Sequence, residues 1–298
     1  MTFTLTYLQA IVIGLLQGVT ELFPISSLGH SVLLPAWLGG SWAKLAASQS
    51  TAESPYLAVV VGLHVATATA LLVIFWRDWV RIVRGFVSSV RHRRVQETYE
   101  RLAWLIIIAS IPAGLLGLLF EHTFRTIFAK PLYSAAFLTL NGLVLLAGER
   151  LRRRRADHDV ERTESGIDQD IRVAASVSVR DSGLIGLIQS GALFAGLSRS
   201  GLTMIAGLLR GLNHEEAVRF AFLLATPVIL AAGVYKVPDL FGPLGDGLRP
   251  QILAGSLAAF LAAFAAAKFL IAFLRTRTLT PFAIYCLVLG VASLIRFA

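Results

Sequence analysis

Two short clusters carry most of the polar groups that this apolar chain offers for chemistry: Gln17, Glu21, Ser26, Ser27 and His30, and then Ser198, Arg199, Ser200 and Thr203. Together they supply a hydroxyl nucleophile, a carboxylate, an imidazole, a guanidinium whose planar fork suits phosphate oxygens, and further hydroxyl donors. That inventory suits phosphoryl transfer. Gln17 and Glu21 are four residues apart and share one face of a helix. His30, three residues beyond Ser27, stands one helical turn from its hydroxyl. Ser26 and Ser200 also have a structural use as helix caps, and Ser198 and Thr203 as donors to a nearby carbonyl. Glu21, His30 and Arg199 have no comparable use inside an apolar segment, where an ionisable group is costly and marks function.

The surroundings of these residues are membrane-like. Of 298 residues, 56% are hydrophobic and 15% charged, where a soluble domain carries nearer a quarter charged. A single cysteine, Cys286, excludes a disulfide framework or a thiolate zinc cluster. Six apolar stretches are long enough to cross a bilayer as helices: 56–76, 102–120, 131–148, 215–235, 251–274 and 279–297. Two more apolar regions, 5–40 and 184–210, are interrupted at Phe23-Pro24-Ile25-Ser26-Ser27 and Ala195-Gly196-Leu197-Ser198-Arg199. Each predicts a re-entrant hairpin of two half-helices with a turn inside the membrane. The fold class is therefore an all-α polytopic membrane protein with six transmembrane helices and two re-entrant helical hairpins.

Charge then orients the chain. Segments 77–101, 149–183, 210–219 and 275–277 hold 19 Lys and Arg, whereas the opposite loops hold only Lys44, Arg125, Lys130, Lys236 and Arg249. Basic loops stay cytoplasmic, so the first hairpin enters from outside and the second from inside. The net charge of +9 is a topology signal rather than the footprint of a nucleic-acid binder. The polar stretch 149–183 reads as a cytoplasmic basic linker able to touch anionic headgroups. No signal-peptide pattern opens the sequence. His64, in a span beside Gly62, reads as a packed or hydrogen-bonded histidine, with lining of the cavity as the alternative, and His92, His122, His158 and His214 as solvated loop or boundary residues.

The interrupted regions match one another without gaps at a constant offset of 172 residues, Gly14-Leu15-Leu16-Gln17 on Gly186-Leu187-Ile188-Gln189 and Pro24 to Ser31 on Gly196 to Thr203. Three spans follow each copy, and an odd number turns the second copy upside down. The chain 1–298 is then one membrane domain, an inverted-topology repeat with halves 1–148 and 184–298. In such folds broken helices meet near the midplane and aim their positive N-termini at a shared anion.

Gln17-x-x-x-Glu21, Pro24-Ile25-Ser26-Ser27-Leu28-Gly29-His30 and Gly196-Leu197-Ser198-Arg199-Ser200-Gly201-Leu202-Thr203 resemble the signature motifs of the bacterial undecaprenyl-diphosphate phosphatases, the bacitracin-resistance family called BacA or UppP. The resemblance runs over nearly the whole chain, including Arg219 to Leu224. It implies hydrolysis of the C55 isoprenoid diphosphate to monophosphate and inorganic phosphate at the outer face of the bacterial cytoplasmic (inner) membrane, recycling the lipid carrier of cell-wall synthesis and conferring bacitracin resistance. It further implies Ser27 as nucleophile, Glu21 as base or metal ligand, His30 as proton shuttle and Arg199 as diphosphate clamp. Gln17, Ser26, Ser198, Ser200 and Thr203 become supporting donors to substrate, and a divalent cation, Mg2+ or Ca2+, the expected cofactor. The partners are a polyprenyl diphosphate lipid and the bilayer, with homo-oligomerisation left open. The competing reading is a transporter or flippase for polyprenyl phosphates, since carriers also use inverted repeats and broken helices.

Overall fold

The computed structural model describes residues 5–47, 55–128, 130–156, 173, 176–242 and 245–298, and among them it is helical, with no strand. The helices are α1 (Tyr7–Leu22), α2 (Ser27–Leu38), α3 (Gly40–Ala47), α4 (Pro55–Ile74), α5 (Trp76–His92), α6 (Thr98–Phe128), α7 (Pro131–Ala156), α8 (Val179–Gln189), α9 (Arg199–Leu208), α10 (His214–Lys236), α11 (Arg249–Leu274) and α12 (Thr280–Phe297). Short 3-10 turns follow α8 at Ser190–Leu193 and α10 at Val237–Phe241.

Among the described residues, five helical stretches are long and apolar enough to cross a membrane: Thr98–Phe120, Pro131–Arg154, His214–Val234, Arg249–Leu274 and Thr280–Phe297. A sixth is counted if the bent pair Val59–Ile74 and Trp76–His92 is one span. The expected apolar stretches thus fall on α4, α6, α7, α10, α11 and α12. Each of these helices leaves leucines or valines exposed, among them Leu118, Leu119, Leu253 and Ile295, all at more than 70%. In water such a surface would aggregate. It is the ordinary exterior of a helix bundle solvated by lipid tails.

The segment 77–101 was expected to be a loop and is instead largely α5, turned 86° from α4 at Phe75. Arg77, Arg81, Arg84 and Arg91 repeat at helical spacing, so hydropathy averaged along the chain hides a helix with three faces. Ile82 and Ser89 pack inward, Trp76, Val80, Val83, Val87 and Val90 form an exposed apolar stripe, and the arginines lie beside that stripe. Asp78 fixes α5 to α10 through Arg219 at 2.7 Å. A helix so divided, leaving a span at nearly a right angle, suits the headgroup plane of a membrane. Elsewhere α7 runs past Gly148 to Ala156, because Glu, Leu and Arg are good helix formers and the polar sequence change does not stop it. Most of the expected basic linker, 157–172 and 174–175, lies outside the described residues.

Small residues let the two broken regions pack closely. A Cβ on Gly14 of α1 would strike the Gly255 carbonyl of α11, and one on Gly186 of α8 the Ala109 carbonyl of α6. Close backbone approach replaces the hydrophobic effect as a source of helix association in lipid. At another helix junction, Glu149 of α7 accepts from His214 Nε2 at 2.6 Å and from the Leu279 amide at 2.8 Å. His214 is therefore a partnered side chain joining α7, α10 and the start of α12, and not the solvated histidine expected from its position in the sequence. His92 is exposed, and the side chains of His122 and His158 lie outside the described residues.

Candidate active site

α1 spans 16 residues and α2 only 12, about 24 Å and 18 Å, so neither alone covers a hydrocarbon core of about 30 Å. The break between them has a local cause. Pro24 has no amide to continue α1, and Ser26 adopts φ +69°, a left-handed conformation that reverses the chain before α2. The Ser26 hydroxyl then caps α2 by accepting from the Gly29 amide at 3.1 Å. Ser198 does the same for α9, accepting from the Gly201 amide at 3.1 Å. The first-turn amides of α2 and α9 have no intrahelical acceptors by construction, so each tip offers N–H donors and a positive helix end.

Hydrogen bonds join the two tips. The Gly196 amide donates to Ser26 Oγ at 3.2 Å, and the Ser200 hydroxyl to the Phe23 carbonyl at 3.1 Å. Asn141 of α7, fully buried, donates through Nδ2 to the Pro24 carbonyl and accepts through Oδ1 from the Ser198 amide, both at 2.9 Å. One amide thus bonds both breaks. Asn141→Leu is expected to leave the Ser198 amide and the Pro24 carbonyl without these partners. Each uncompensated buried group costs about 1–3 kcal/mol. The variant should unfold at a lower temperature in detergent and lose turnover in proportion to the disturbed tip geometry, as read by a thermal shift beside a rate assay.

Glu21 is the centre of the arrangement. One carboxylate oxygen, Oε1, accepts from Arg199 Nη2. The other, Oε2, accepts from the Ser27 hydroxyl and from Gln17 Nε2, the latter at 3.0 Å. His64 Nε2 lies 3.4 Å from the same oxygen. His64 Nδ1 faces the Val60 carbonyl at 2.8 Å, and a carbonyl only accepts, so Nδ1 carries its hydrogen. A proton on Nε2 is then what makes the Glu21 contact attractive. Buried at 8% exposure, the carboxylate is compensated by a guanidinium, a hydroxyl, an amide and an imidazole.

A cavity of about 160 Å3 opens beside this cluster. Its polar wall includes Thr20, Glu21, Ser26, Ser27, Gln189, Ser190, Ser198 and Arg199, and its apolar wall includes Leu28, Ala113, Leu193, Leu197 and Val228. A space of that size holds a few waters' volume, each about 30 Å3 in the liquid. An amphipathic ligand with a compact anionic head matches such walls.

Of the residues expected at the site, Glu21, Ser26, Ser27, Ser198 and Arg199 line this cavity. Gln17 stands behind Glu21, Ser200 holds the Phe23 carbonyl, and Thr203 donates to Gln189 Oε1 at 3.4 Å. These three lie outside the cavity wall. His30 is not brought to Ser27. It is fully buried, with Nδ1 bonded to the Ser26 carbonyl at 2.7 Å and Nε2 to the Tyr285 hydroxyl at 2.8 Å, its ring stacked on Tyr285. The three-residue spacing fixes where the Cβ atoms stand but not where the ring points, and here the bond back to Ser26 turns it toward α12. The imidazole beside Glu21 is that of His64, which the sequence presented as a packed or hydrogen-bonded residue. The rule that drew attention to Glu21, an ionisable group within an apolar span, applied equally to His64. Asn141 had the same signal, a polar side chain in the middle of a span.

The metal ligand expected of this chain is the single carboxylate of Glu21, with substrate phosphates completing the site. Among the described residues no group of three His, Cys, Asp or Glu side chains is placed to hold an ion. Both oxygens of Glu21, the expected ligand, are already engaged by donors, one of them cationic. The donor set is that of an ion-pair and hydrogen-bond cluster.

A polar cavity of this kind, walled by broken helices within a bundle of membrane-length helices, brings a hydroxyl, a carboxylate and a guanidinium into contact. The chain belongs to the bacitracin resistance protein BacA family, whose profile matches residues 10–292. It is 58% identical to an undecaprenyl-diphosphatase of Mycolicibacterium paratuberculosis, over all of this chain and 99% of that protein. Identity is 52% with undecaprenyl-diphosphatase 2 of Frankia alni, over 99% of this chain and 98% of the relative. It is 42% with the undecaprenyl-diphosphatase of Acidiphilium cryptum, over 98% of each.

Proposed function

We propose that this protein removes the terminal phosphate of undecaprenyl diphosphate, giving undecaprenyl phosphate and inorganic phosphate. Membership of the BacA family and full-length relatives named for this activity support that reading. The observation that carries it within the chain is the Ser27 hydroxyl donating to the Glu21 carboxylate on the wall of a cavity that also presents Arg199.

The geometry suggests a sequence of steps. The diphosphate enters with its charge against Arg199 and the N-terminal amides of α2 and α9, and its first isoprene units against Leu28, Leu193 and Leu197. Glu21 takes the proton as Ser27 Oγ attacks the terminal phosphorus. The Oγ–P bond forms, the bond from phosphorus to the bridging oxygen breaks, and the prenyl monophosphate leaves, its freed oxygen taking the proton from Glu21. Water then attacks the phosphoserine, Glu21 takes the water's proton and passes it to Ser27 Oγ as the Oγ–P bond breaks, which frees inorganic phosphate and restores the serine hydroxyl. His64, against the same carboxylate oxygen, stabilises the charge that Glu21 carries between proton transfers. We place the proton-transfer assistance expected of His30 on His64, and give His30 the holding of Ser26 and Tyr285. For the Mg2+ or Ca2+ implied by the resemblance, Glu21 is the carboxylate that would hold the ion together with substrate phosphate oxygens, where it would supply neutralisation of phosphate charge, and no step is drawn through it.

His64→Gln removes the imidazole beside Glu21 and is expected to lower the catalytic rate roughly 100-fold, the low end of the range for groups assisting proton transfer. His30→Gln is expected to act chiefly on stability. Steady-state rates and thermal midpoints of the two variants, taken together, check the reassignment.

The finer architecture follows from the same reading. Two re-entrant hairpins, α1–α2 and α8–α9, are each followed by three spans, α4, α6 and α7 in the first half and α10, α11 and α12 in the second. Support comes from pairings that exchange between halves. α1 packs on α11 as α8 packs on α6, and the third spans α7 and α12 pack on each other. Gly14 and Gly186, and Ser26 and Ser198, play matching parts at the 172-residue offset. The halves are 1–148 and 184–298, in the bacterial inner membrane, with the cavity facing outward as the basic-loop bias directs. A carrier has no need of a hydroxyl held against a carboxylate.

Product analysis tests the proposal. Purified protein given a long-chain isoprenyl diphosphate should yield prenyl monophosphate and inorganic phosphate. Release of inorganic pyrophosphate and free alcohol would place cleavage at the wrong bond. Transfer of intact lipid across vesicles without cleavage would favour the flippase.

A further inference from the structure

One residue of the cavity wall carries a donor that finds no partner among the described residues. Gln189, the last residue of α8, is 1% exposed and lines the cavity, yet its Nε2 has no hydrogen-bond partner. Its Oε1 is occupied by the Thr203 hydroxyl at 3.4 Å, which sets the amide with oxygen toward α9 and leaves the NH2 group over. Gln17, its counterpart at the 172-residue offset, spends its own NH2 on Glu21 at 3.0 Å. At the equivalent place in the second half stands Leu193, so Gln189 has no carboxylate to bond. A buried amide NH2 without an acceptor costs free energy, and native sites keep such a group where a ligand completes it.

Resting on the phosphatase reading above, we propose that Gln189 is a substrate-binding residue whose Nε2 donates to a non-bridging oxygen of the diphosphate. It shares the cavity wall with Arg199, so one anion can meet a guanidinium and this amide, whereas the Ser190 hydroxyl is spent on the Gly186 carbonyl at 3.0 Å and that of Ser198 on Ser200 at 3.0 Å. The two glutamines of the repeat thereby divide the work: Gln17 orients the carboxylate and Gln189 holds the phosphate. A donor that meets a charged acceptor only when substrate is present contributes to binding and nothing to the stability of the empty protein.

That asymmetry makes the test specific. Gln189→Met keeps length and removes the donor, and Gln189→Glu keeps the acceptor for Thr203 while replacing NH2 by an oxygen. Both are expected to raise KM for a long-chain isoprenyl diphosphate roughly 10- to 100-fold, the range for a hydrogen bond to a charged group. The substrate-free Gln189→Met variant also deprives Thr203 of its acceptor, so its thermal midpoint is compared with Gln189→Met/Thr203→Val, in which no donor is left unpaired and the midpoint should be level with wild type or higher. Equilibrium binding of inorganic pyrophosphate to the wild type and the Met variant is measured alongside, with the same loss expected. Unchanged KM and unchanged pyrophosphate binding would overturn the proposal, as would a fall in the double variant's midpoint large enough to account for the lost binding. If the wild type turned over no lipid, the phosphatase reading would fall, and the pyrophosphate titration would still decide whether Gln189 binds the anion.

Discussion

Ser27→Ala is expected to abolish phosphate release, with a loss of roughly a thousandfold or more, in line with the loss of about 10^6 seen when a serine enzyme's nucleophile is removed. The size of the effect follows from the site. Ser27 is the hydroxyl that donates directly to the Glu21 carboxylate, and it sits at the first position of α2, where the free amides and the helix dipole favour an incoming phosphate. The substitution removes the attacking oxygen and leaves the other Glu21 partners in place, namely Arg199, Gln17 and His64. The fold should therefore be little changed. A thermal midpoint within a few degrees of wild type, with activity at background, is the expected pair of readings. Ser26→Ala makes the useful contrast. That hydroxyl caps α2 and receives the Gly196 amide, so its loss should show as about 0.5–2 kcal/mol of stability with a smaller effect on rate.

Arg199→Ala has the second largest expected effect and, unlike Ser27→Ala, acts on both function and fold. Arg199 contributes the guanidinium that faces Glu21 and lines the cavity, and in phosphoryl transfer an arginine of this kind is worth about 10^3 to 10^5 in rate. Its removal also leaves Glu21 buried without its cationic partner, which costs about 3–5 kcal/mol when a buried pair is broken from one side. Arg199→Lys separates the two. A lysine restores a positive charge near Glu21 but not the planar fork that grips a phosphate and a carboxylate together. The lysine variant should recover much of the stability and little of the rate. Recovery of both would mean that charge alone suffices at this position. Parallel thermal and kinetic measurements on the two variants make the distinction.

Much of this was legible in the sequence because a bilayer simplifies the reading. Runs of apolar residues pointed to five helices that are long and apolar enough to cross a membrane, and to α4, which joins them only when counted with α5, since a helix in hydrocarbon must be long and apolar. The cost of charge in lipid pointed to Glu21 and Arg199, which the structure brings into contact across 178 positions of chain. The 172-residue offset pointed to serines 26 and 198, and both are helix caps. What sequence could not supply was side-chain direction. His30 has the right spacing from Ser27, but its ring is held by Ser26 and Tyr285, and only the packing of α12 decides that. His64 sits 43 residues from Glu21 in an unremarkable run of valines and alanines, and no local pattern says which face of α4 meets α1. α5 was hidden for another reason. Its arginines dominate any average over neighbouring residues, while its apolar stripe is visible only at helical period. Asn141 and Gln189 were polar residues in apolar segments, and the reasoning that selected Glu21 extends to them once their burial is known.

The central claim is that a hydroxyl, a carboxylate and a guanidinium from two broken helices form one phosphatase site in this chain. The most direct test is inorganic phosphate release from undecaprenyl diphosphate by purified protein in detergent, with wild type, Ser27→Ala and Arg199→Ala compared at equal folded concentration. The expected result is steady turnover by the wild type and release at background from both variants. Full turnover by either variant, or none by the wild type, would contradict it.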